Sequence, residues 1–223
     1  MDVFDALTAR RSVRGFRPDP VPAPTLRRIF EAAQRAPSWC NIQPWRVWVT
    51  SGEATASLTR ALTAAASTSL PEPDFPWPAE YPPPYDAHRR ECGAALYRAM
   101  GIAREDRDGR KAAWMRNYVA FDAPHVAIVG MDRRFGVYAS LDIGCWLQSV
   151  LLAATSEGVA TCPQAALASY PKAVREVLAI PDEIGVLFGI ALGYEDPSVP
   201  ANACRTDRAP LEENVRFVAT FER

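Results

Sequence analysis

The clearest alternation of apolar and polar positions comes directly after a polar turn, where the sequence reads WRVWV. Trp45, Val47 and Val49 alternate with Arg46 and Trp48, and this two-residue period predicts a β-strand. A polar loop that enters a core strand is a common place for a binding site, because the rigid strand fixes the position of the loop.

The turn before this strand, residues 37–44, is dense in polar side chains. Ser38, Asn41 and Gln43 supply a hydroxyl and two amides, which both donate and accept hydrogen bonds. Such groups can pair with the edge of a flat heterocycle, and Trp39 can cover its face. A capped turn, in which these side chains satisfy only the local backbone, explains the same residues. The turn is a candidate binding loop with that simpler alternative open.

Apolar spacing typical of amphipathic helices recurs along the rest of the chain. Thr25 is expected to cap one of these helices. The segment 138–156 is apolar nearly all round and predicts a central buried helix, with Leu141 and Leu152 on one side, and 158–164 is expected to be a loop. Strands separated by helices predict a layered α/β or α+β fold. The predicted helices are 3–11, 26–36, 54–66, 88–104, 107–121, 138–156 and 170–178, and the further strands are 124–131 and 185–192.

A proline-rich segment interrupts this pattern at about 71–85. Seven of the fourteen residues 71–84 are proline, so the segment is expected to be neither helix nor sheet. Phe75, Trp77 and Tyr81 distinguish it from a disordered linker, which rarely contains large apolar side chains. We therefore expect a single domain over 1–223 with an ordered arm inserted at about 71–85.

Charge is balanced overall but uneven along the chain. The formal net charge is −1, which argues against a nucleic-acid-binding protein. Seven arginines lie within the first 35 residues, and Arg10 and Arg14 share a face at i, i+4 if this segment is helical or tightly turned. Like charges placed in this way repel unless an anion lies between them. A solvated basic surface is the alternative.

Cysteine and histidine usage argues against a metal site. The five cysteines show no C-x-x-C spacing, and the chain has two histidines, so zinc has few candidate ligands. Free thiols indicate a reducing compartment, and we expect a cytoplasmic protein. The N-terminal residues lack the apolar run of a secretory signal, and no stretch of about 18 uninterrupted apolar residues predicts a membrane span.

Four segments, taken in order, resemble the flavin-dependent nitroreductase family. They are RRSVRGF at 10–16, APSWCNIQPW at 36–45, GVATCPQ at 158–164, and GYEDP at 193–197 followed by RTDRAPLEENV at 205–215. The resemblance covers nearly the whole chain. The middle segments PPPYDAHRR, LYRAMGI and FDAPHV look like the branch that includes nitrobenzoate-type nitroreductases.

The resemblance implies an α+β layered sandwich in which helices flank a central, mostly antiparallel sheet. It also implies a homodimer with one FMN in each of two sites between the subunits. The expected cofactor-binding residues are Arg10, Arg11, Ser12 and Arg14; Ser38, Trp39, Asn41 and Gln43, of which Ser38 and Trp39 come from the partner; Pro163, Gln164 and Ala165 near flavin N5; and Arg205 and Arg208 at the phosphate.

The implied activity is a ping-pong oxidoreductase reaction at one stacked site. NADPH or NADH gives a hydride to the flavin, and a nitroaromatic, quinone or related small aromatic acceptor then receives it. No side chain is needed as a catalytic acid, since flavin N5 carries the hydride. Alternatives are an oxygen-dependent flavin-fragmenting enzyme of the same fold and a flavin-binding protein without turnover. The choice of NADH or NADPH and the physiological acceptor stay open.

Substrate contacts are predicted for Trp39, Tyr81 and Tyr85. The proline-rich arm is expected to fold over the flavin mouth, with a distant surface strap and a dimer clamp as alternatives. Trp39 and Cys40 stand where many family members have small residues, which leaves the size of the substrate open. At Cys40 we expect a buried structural thiol rather than a reactive one.

Overall fold

A four-stranded antiparallel sheet runs through the middle of the protein, in a computed structural model that describes residues 1–219. The strand order is β1-β2-β4-β3, and all three neighbouring pairs are antiparallel. Helices cover both faces, which confirms the predicted α+β layered fold. The strands are β1 (Arg46–Ser51), β2 (His125–Asp132), β3 (Ala160–Gln164) and β4 (Ile184–Gly193).

Helices account for most of the remaining regular structure. The α-helices are α1 (Val3–Ala9), α2 (Ala23–Ala33), α3 (Glu53–Thr68), α4 (Tyr85–Ala99), α5 (Arg107–Met115), α6 (Val137–Ser156), α7 (Pro171–Leu178) and α8 (Leu211–Asn214). Short 3-10 helices lie at Trp39–Asn41, Ala120–Asp122, Ala165–Ala168 and Pro200–Ala203.

The two central strands divide the core into two layers. Successive side chains of β2 point to opposite faces, so Val126 and Ile128 pack in one layer while Ala127 and Val129 pack in the other. The first layer includes side chains of α3 and α7, and the second includes those of α2 and α6. Burial on both faces explains why β2 is a continuous apolar run.

Several local predictions were wrong at element boundaries; the helix expected at 107–121 ends at Met115, and the one expected at 88–104 spans Tyr85–Ala99. The helix expected at 26–36 with Thr25 as its cap begins at Ala23, and Pro22 occupies the N-cap position. Pro24 lies in the first turn, where the fixed φ of proline is helical and its missing N–H has no partner to lose. The loop expected at 158–164 contains strand β3, which pairs with β4 over its full length.

Helix α6 is buried on one face only, so the prediction of an entirely buried helix was wrong. Ile143, Trp146 and Val150 are fully covered, whereas Val137, Tyr138 and Leu141 are exposed. The covered face packs against α2 and the sheet. Among the described residues, α6 alone has the length and hydropathy of a membrane span, and no membrane is implied by that likeness.

The proline-rich segment is fixed to the body of the protein at its first half. The Glu72 N–H donates to the Ser169 carbonyl at 2.9 Å, and Phe75 lies against Gly185. The Asp74 carboxylate pairs with Arg175 at 2.5 Å and Arg133 at 2.6 Å, and it accepts the Val186 N–H at 2.7 Å. These contacts attach the arm to the start of β4 and to α7.

Asp74→Asn is expected to reduce the free energy of unfolding by about 3 kcal/mol at pH 7, because it leaves two arginines without their buried partner. Burial alone would raise the pKa of Asp74, but hydrogen bonds from Arg175, Val186 N–H and Arg133 outweigh it and hold the pKa below its usual range. A lowered pKa contributes stability above about pH 4 that is lost as the pH falls further.

Urea denaturation at pH 7 and pH 3 measures this difference, which is expected to be smaller at pH 3. Asp19→Asn removes a carboxylate from the exposed Arg17 pair and is the matched control, with little expected change. Equal stability of wild type and Asp74→Asn at pH 7 contradicts the assignment.

Candidate functional site

Both ends of the chain meet at one cavity of about 570 Å³, which we call the arginine cavity. Its walls come from the end of α1 and the segment after it, from α4, and from the segment after the last 3-10 helix. The lining residues are Leu7, Thr8, Ala9, Arg10, Arg11, Ser12, Arg14, Cys92, Cys204, Arg205, Thr206 and Arg208. The structure therefore brings together six of the residues that the sequence predicts to bind the cofactor.

Asn202, which the sequence reasoning missed, holds these two chain ends together. Its Oδ1 accepts the Arg14 N–H at 2.6 Å, and its Nδ2 donates to the carbonyls of Gly15 at 2.9 Å and Asp196 at 2.8 Å. The side chain is 5% exposed, so these hydrogen bonds are shielded from water. Asn202 lies three residues before Arg205, which begins one of the motifs that the sequence did mark.

The charge of the arginine cavity is largely uncompensated. In the part of the chain that the structure describes, Arg10, Arg14, Arg205 and Arg208 form no ion pair with a carboxylate. Arg205 instead donates to the carbonyls of Asn202 and Cys204, at 2.8 and 2.9 Å. A guanidinium group that has no carboxylate partner is free to form bidentate hydrogen bonds with the oxygens of a phosphate.

Arg11 differs from its neighbours in the cavity wall. It pairs with the Glu195 carboxylate, and its Nε is buried without a hydrogen-bond partner. The Arg11–Glu195 pair ties the N-terminal segment to the residue two positions after β4, which closes one side of the cavity. Arg11 therefore holds the cavity wall in place through Glu195, in addition to contributing positive charge to the lining.

The edge strand β3 places the second predicted group of residues beside this segment. Val13 N–H donates to the Thr161 carbonyl at 2.9 Å, so the arginine segment runs along β3 shortly before Pro163. Gln164 is buried, and its Nε2 donates to the backbone and side-chain oxygens of Asn117 at 3.1 and 3.2 Å. Within residues 1–219, its Oε1 has no hydrogen-bond partner. Asn117 is a further residue that the sequence did not indicate.

The polar loop 38–43 adopts a left-handed and internally bonded conformation. Cys40, Asn41 and Gln43 have φ of 46°, 56° and 46°, a region that costs energy for residues other than glycine. Gln43 N–H donates to Ser38 Oγ at 3.0 Å, and Gln43 Nε2 donates to Asn41 Oδ1 at 3.1 Å. In the protomer, some polar groups of the loop therefore form hydrogen bonds within the loop, as expected for a capped turn.

Asp142 of α6 holds this loop in place through a hydrogen bond to its backbone. Its buried carboxylate accepts the Trp39 N–H at 3.1 and 3.2 Å. The Trp39 side chain is 71% exposed and points away from the core. Loop 38–43 lies outside the lining of the arginine cavity, so the protomer does not unite this part of the predicted site with the arginines.

A smaller apolar cavity of about 220 Å³ adjoins the arginine cavity and shares Arg14 with it. Leu96, Met100, Trp114 and Phe121 contribute its apolar surface. Leu96, Met100 and Phe121 lie in segments that carry the branch resemblance, but the sequence did not predict a binding site there. A flat aromatic molecule suits a cavity of this size and composition.

The two tyrosines predicted to contact substrate are not among the lining residues of the arginine and apolar cavities. Tyr81 and Tyr85 are exposed, and the ring of Tyr81 lies 5.5 Å from the guanidinium carbon of Arg89. The predicted role of the arm at the flavin mouth therefore receives no geometric support from the protomer.

Comparison with known proteins identifies the class that this fold and site define. The sequence profile of the Nitroreductase family matches residues 7–194, and the chain belongs to this family. It is 38% identical over 98% of its length to 4-nitrobenzoate reductase of Nocardioides sp. strain LMS-CY, 91% of which is covered.

Solved structures give the same result. The FMN- and NADPH-dependent nitroreductase NfnB from Sphigopyxis sp. strain HMH superposes with a TM-score of 0.94 at 37% identity, covering 97% of this chain and 99% of that one. The FMN-dependent NfnB from Mycobacterium smegmatis, in complex with NADPH, gives 0.92 at 37% identity with the same coverage. These comparisons confirm the resemblance and the fold expected from the four motifs.

The five cysteines are free thiols, and their exposure differs. Cys40 is exposed, so the expectation of a buried thiol was wrong for the protomer, because the left-handed loop turns it outward. Burial raises the pKa of Cys162 to about 11, although the charge of Arg14 acts in the opposite direction. The thiolate is the reactive form, so Cys162 is protected by its pKa as well as by its position.

Thiol labelling at pH 8 is expected to modify Cys40 and Cys92 in the native protein and to leave Cys162 unmodified. Peptide mass spectrometry after brief iodoacetamide treatment measures this difference. Labelling in urea is the control, since unfolding exposes all five thiols. Rapid modification of native Cys162 at pH 8 contradicts the assignment.

Proposed function

We propose that the protein is an FMN-dependent oxidoreductase that uses NADPH to reduce nitroaromatic compounds. The observation that carries this proposal is the arginine cavity, in which four guanidinium groups from both ends of the chain converge without carboxylate partners. An FMN phosphate carries close to two negative charges, which would compensate the positive charge of these arginines. NfnB from Sphigopyxis is an FMN- and NADPH-dependent nitroreductase, and NfnB from Mycobacterium smegmatis is an FMN-dependent one in complex with NADPH. We extend the same chemistry to quinones and related acceptors.

The residues present suit FMN. Arg10, Arg14, Arg205 and Arg208 hold the phosphate, while Arg11 and Ser12 line the same wall. The orphaned Oε1 of buried Gln164 leaves an unused acceptor beside the position where Pro163 and Ala165 meet the flavin ring. When bound, FMN accepts a hydride from the nicotinamide and passes electrons to the acceptor. The chain's own residues bind and orient, and none is assigned as a catalytic acid or base.

The apolar cavity gives the acceptor a place to bind. Trp114, Met100 and Leu96 exclude water from one side, and Arg14 joins this cavity to the phosphate site. Trp39 covers the acceptor from the partner chain, and Tyr81 and Tyr85 contact larger acceptors. We treat the whole chain as one domain, with the arm at 71–85 as an insertion. The free thiols support a cytoplasmic location.

A homodimer with FMN at the interface completes the site. The exposed end of α6 carries Val137, Tyr138 and Leu141, and α1, which packs on α6, exposes Phe4. With Trp39, whose 3-10 helix contacts α6, these side chains form an apolar surface of the kind that marks a protein interface. A second copy that covers this surface brings Ser38 and Trp39 of each chain to the site of the other.

Arg208→Ala is expected to weaken FMN binding by about tenfold or more, because a hydrogen bond to a charged group contributes about 1.5–3 kcal/mol. Fluorescence titration of FMN into the stripped protein measures this change. Arg27→Ala is the control, since Arg27 is an equally cationic side chain in an exposed helical pair with Glu31. Unchanged FMN affinity in Arg208→Ala argues against the phosphate assignment.

Leu141→Glu is expected to shift the protein from dimer to monomer, because it places a charge in the apolar surface of α6. Light scattering after size-exclusion chromatography measures the mass. Leu70→Glu is the control: Leu70 is more exposed and lies at the end of α3, in the opposite layer. A wild-type monomer that is saturated with FMN contradicts the shared site.

A further inference from the structure

A second basic cavity lies between α4 and α5, apart from the arginine cavity. Its volume is about 720 Å³, which is within the range of small-molecule sites. Five of its lining residues are arginines and none is acidic. The arginines are Arg89, Arg90, Arg98, Arg104 and Arg110. We call it the basic cavity.

The five arginines differ in how their charge is compensated. Arg89 and Arg90 share the carboxylate of Asp86, at 2.8 and 2.6 Å. Over residues 1–219, Arg98 and Arg104 form no ion pair. The basic cavity therefore retains positive charge at the side formed by the end of α4 and the loop after it.

Arg110 is already oriented for binding. Its guanidinium carbon lies 4.9 Å from the centroid of the Tyr97 ring, and its Nη1 donates to the Arg104 carbonyl at 3.1 Å. The nearby acid Asp106 caps α5 by accepting the Gly109 N–H at 2.8 Å and is not part of the lining. An arginine held in this way loses less freedom when it binds an anion.

Three cavities lie along α4, and neighbouring cavities share a lining residue. Arg14 lines both the arginine cavity and the apolar cavity, and Tyr97 lines both the apolar cavity and the basic cavity. One long ligand with a flat ring at one end and a phosphate at the other can contact the apolar and basic cavities together. A small monoanionic acceptor is too short to use both.

We propose that the basic cavity binds the 2′-phosphate of NADPH and gives the protein its preference for NADPH over NADH. This inference rests on the proposed function. NADPH differs from NADH only by a phosphate on the adenosine ribose, and Arg98, Arg104 and Arg110 offer planar forks that match it. Tyr97 offers an aromatic face at the boundary between the ring-binding cavity and the basic one.

The test compares Arg98→Gln/Arg104→Gln with Arg107→Gln/Lys111→Gln. The control pair removes the same charge from exposed positions of α5 that do not line the basic cavity. Calorimetry with adenosine 2′,5′-bisphosphate and with 5′-AMP is performed on the FMN-loaded protein. The wild type and the control are expected to bind the bisphosphate about tenfold tighter than AMP, and the test variant is expected to lose this difference.

Steady-state kinetics provide a second readout. The KM for NADPH is expected to rise about tenfold in the test variant, while the kcat/KM for NADH stays as in the wild type. FMN affinity is expected to be unchanged, because these arginines lie outside the arginine cavity.

Three outcomes overturn the proposal. One is equal wild-type affinity for the bisphosphate and AMP, and another is an equal loss in the test and control variants. The third is a higher KM for a nitrobenzoate acceptor with NADPH kinetics unchanged, which assigns the basic cavity to the acceptor's carboxylate. A wild type that oxidises neither nucleotide refutes the proposed function instead, while the calorimetry still decides whether the basic cavity recognises the 2′-phosphate.

Discussion

Repulsion among the guanidinium groups of the arginine cavity is the constraint on which the functional architecture depends. Two like charges about 4 Å apart repel by about 4 kcal/mol near a protein surface, so a fold that gathers several must hold them by other bonds. Asn202 and the strand-like contact of Val13 with Thr161 supply those bonds in this protein. The positive charge is then available to a dianionic ligand, and binding relieves the repulsion.

The two layers around the sheet differ in how much apolar surface they leave exposed. The layer with α3 and α7 closes over the sheet, and the arm is attached to it through Asp74. The layer with α2 and α6 is covered on its inner side only, and it leaves an apolar surface next to Trp39. The segment that contains α4 and α5 lies between α3 and β2 in the chain, and it lines both the apolar and the basic cavity.

The sequence predicted most elements because their apolar periods are local properties. Strand β2 and helix α6 were found close to their true bounds, as their long apolar runs have few alternative structures. Strand β3 was missed because Pro163 and Cys162 carry no local strand pattern, and only pairing with β4 makes them extended. The buried face of α6 was misjudged for a related reason, since a helix that is apolar all round does not indicate which side the core takes.

For the candidate site, the sequence by itself marked the residues on which the proposed function rests: the arginines at both chain ends, the polar loop 38–43 and the segment around Gln164. These features are local in the chain and were recognised as motifs in order. Only the tertiary structure decided that the two arginine groups meet, that Asn202 and Asp142 hold them and the loop in place, and that three cavities lie along α4. Such relations depend on contacts between residues more than 100 positions apart, for which a single sequence contains no local pattern.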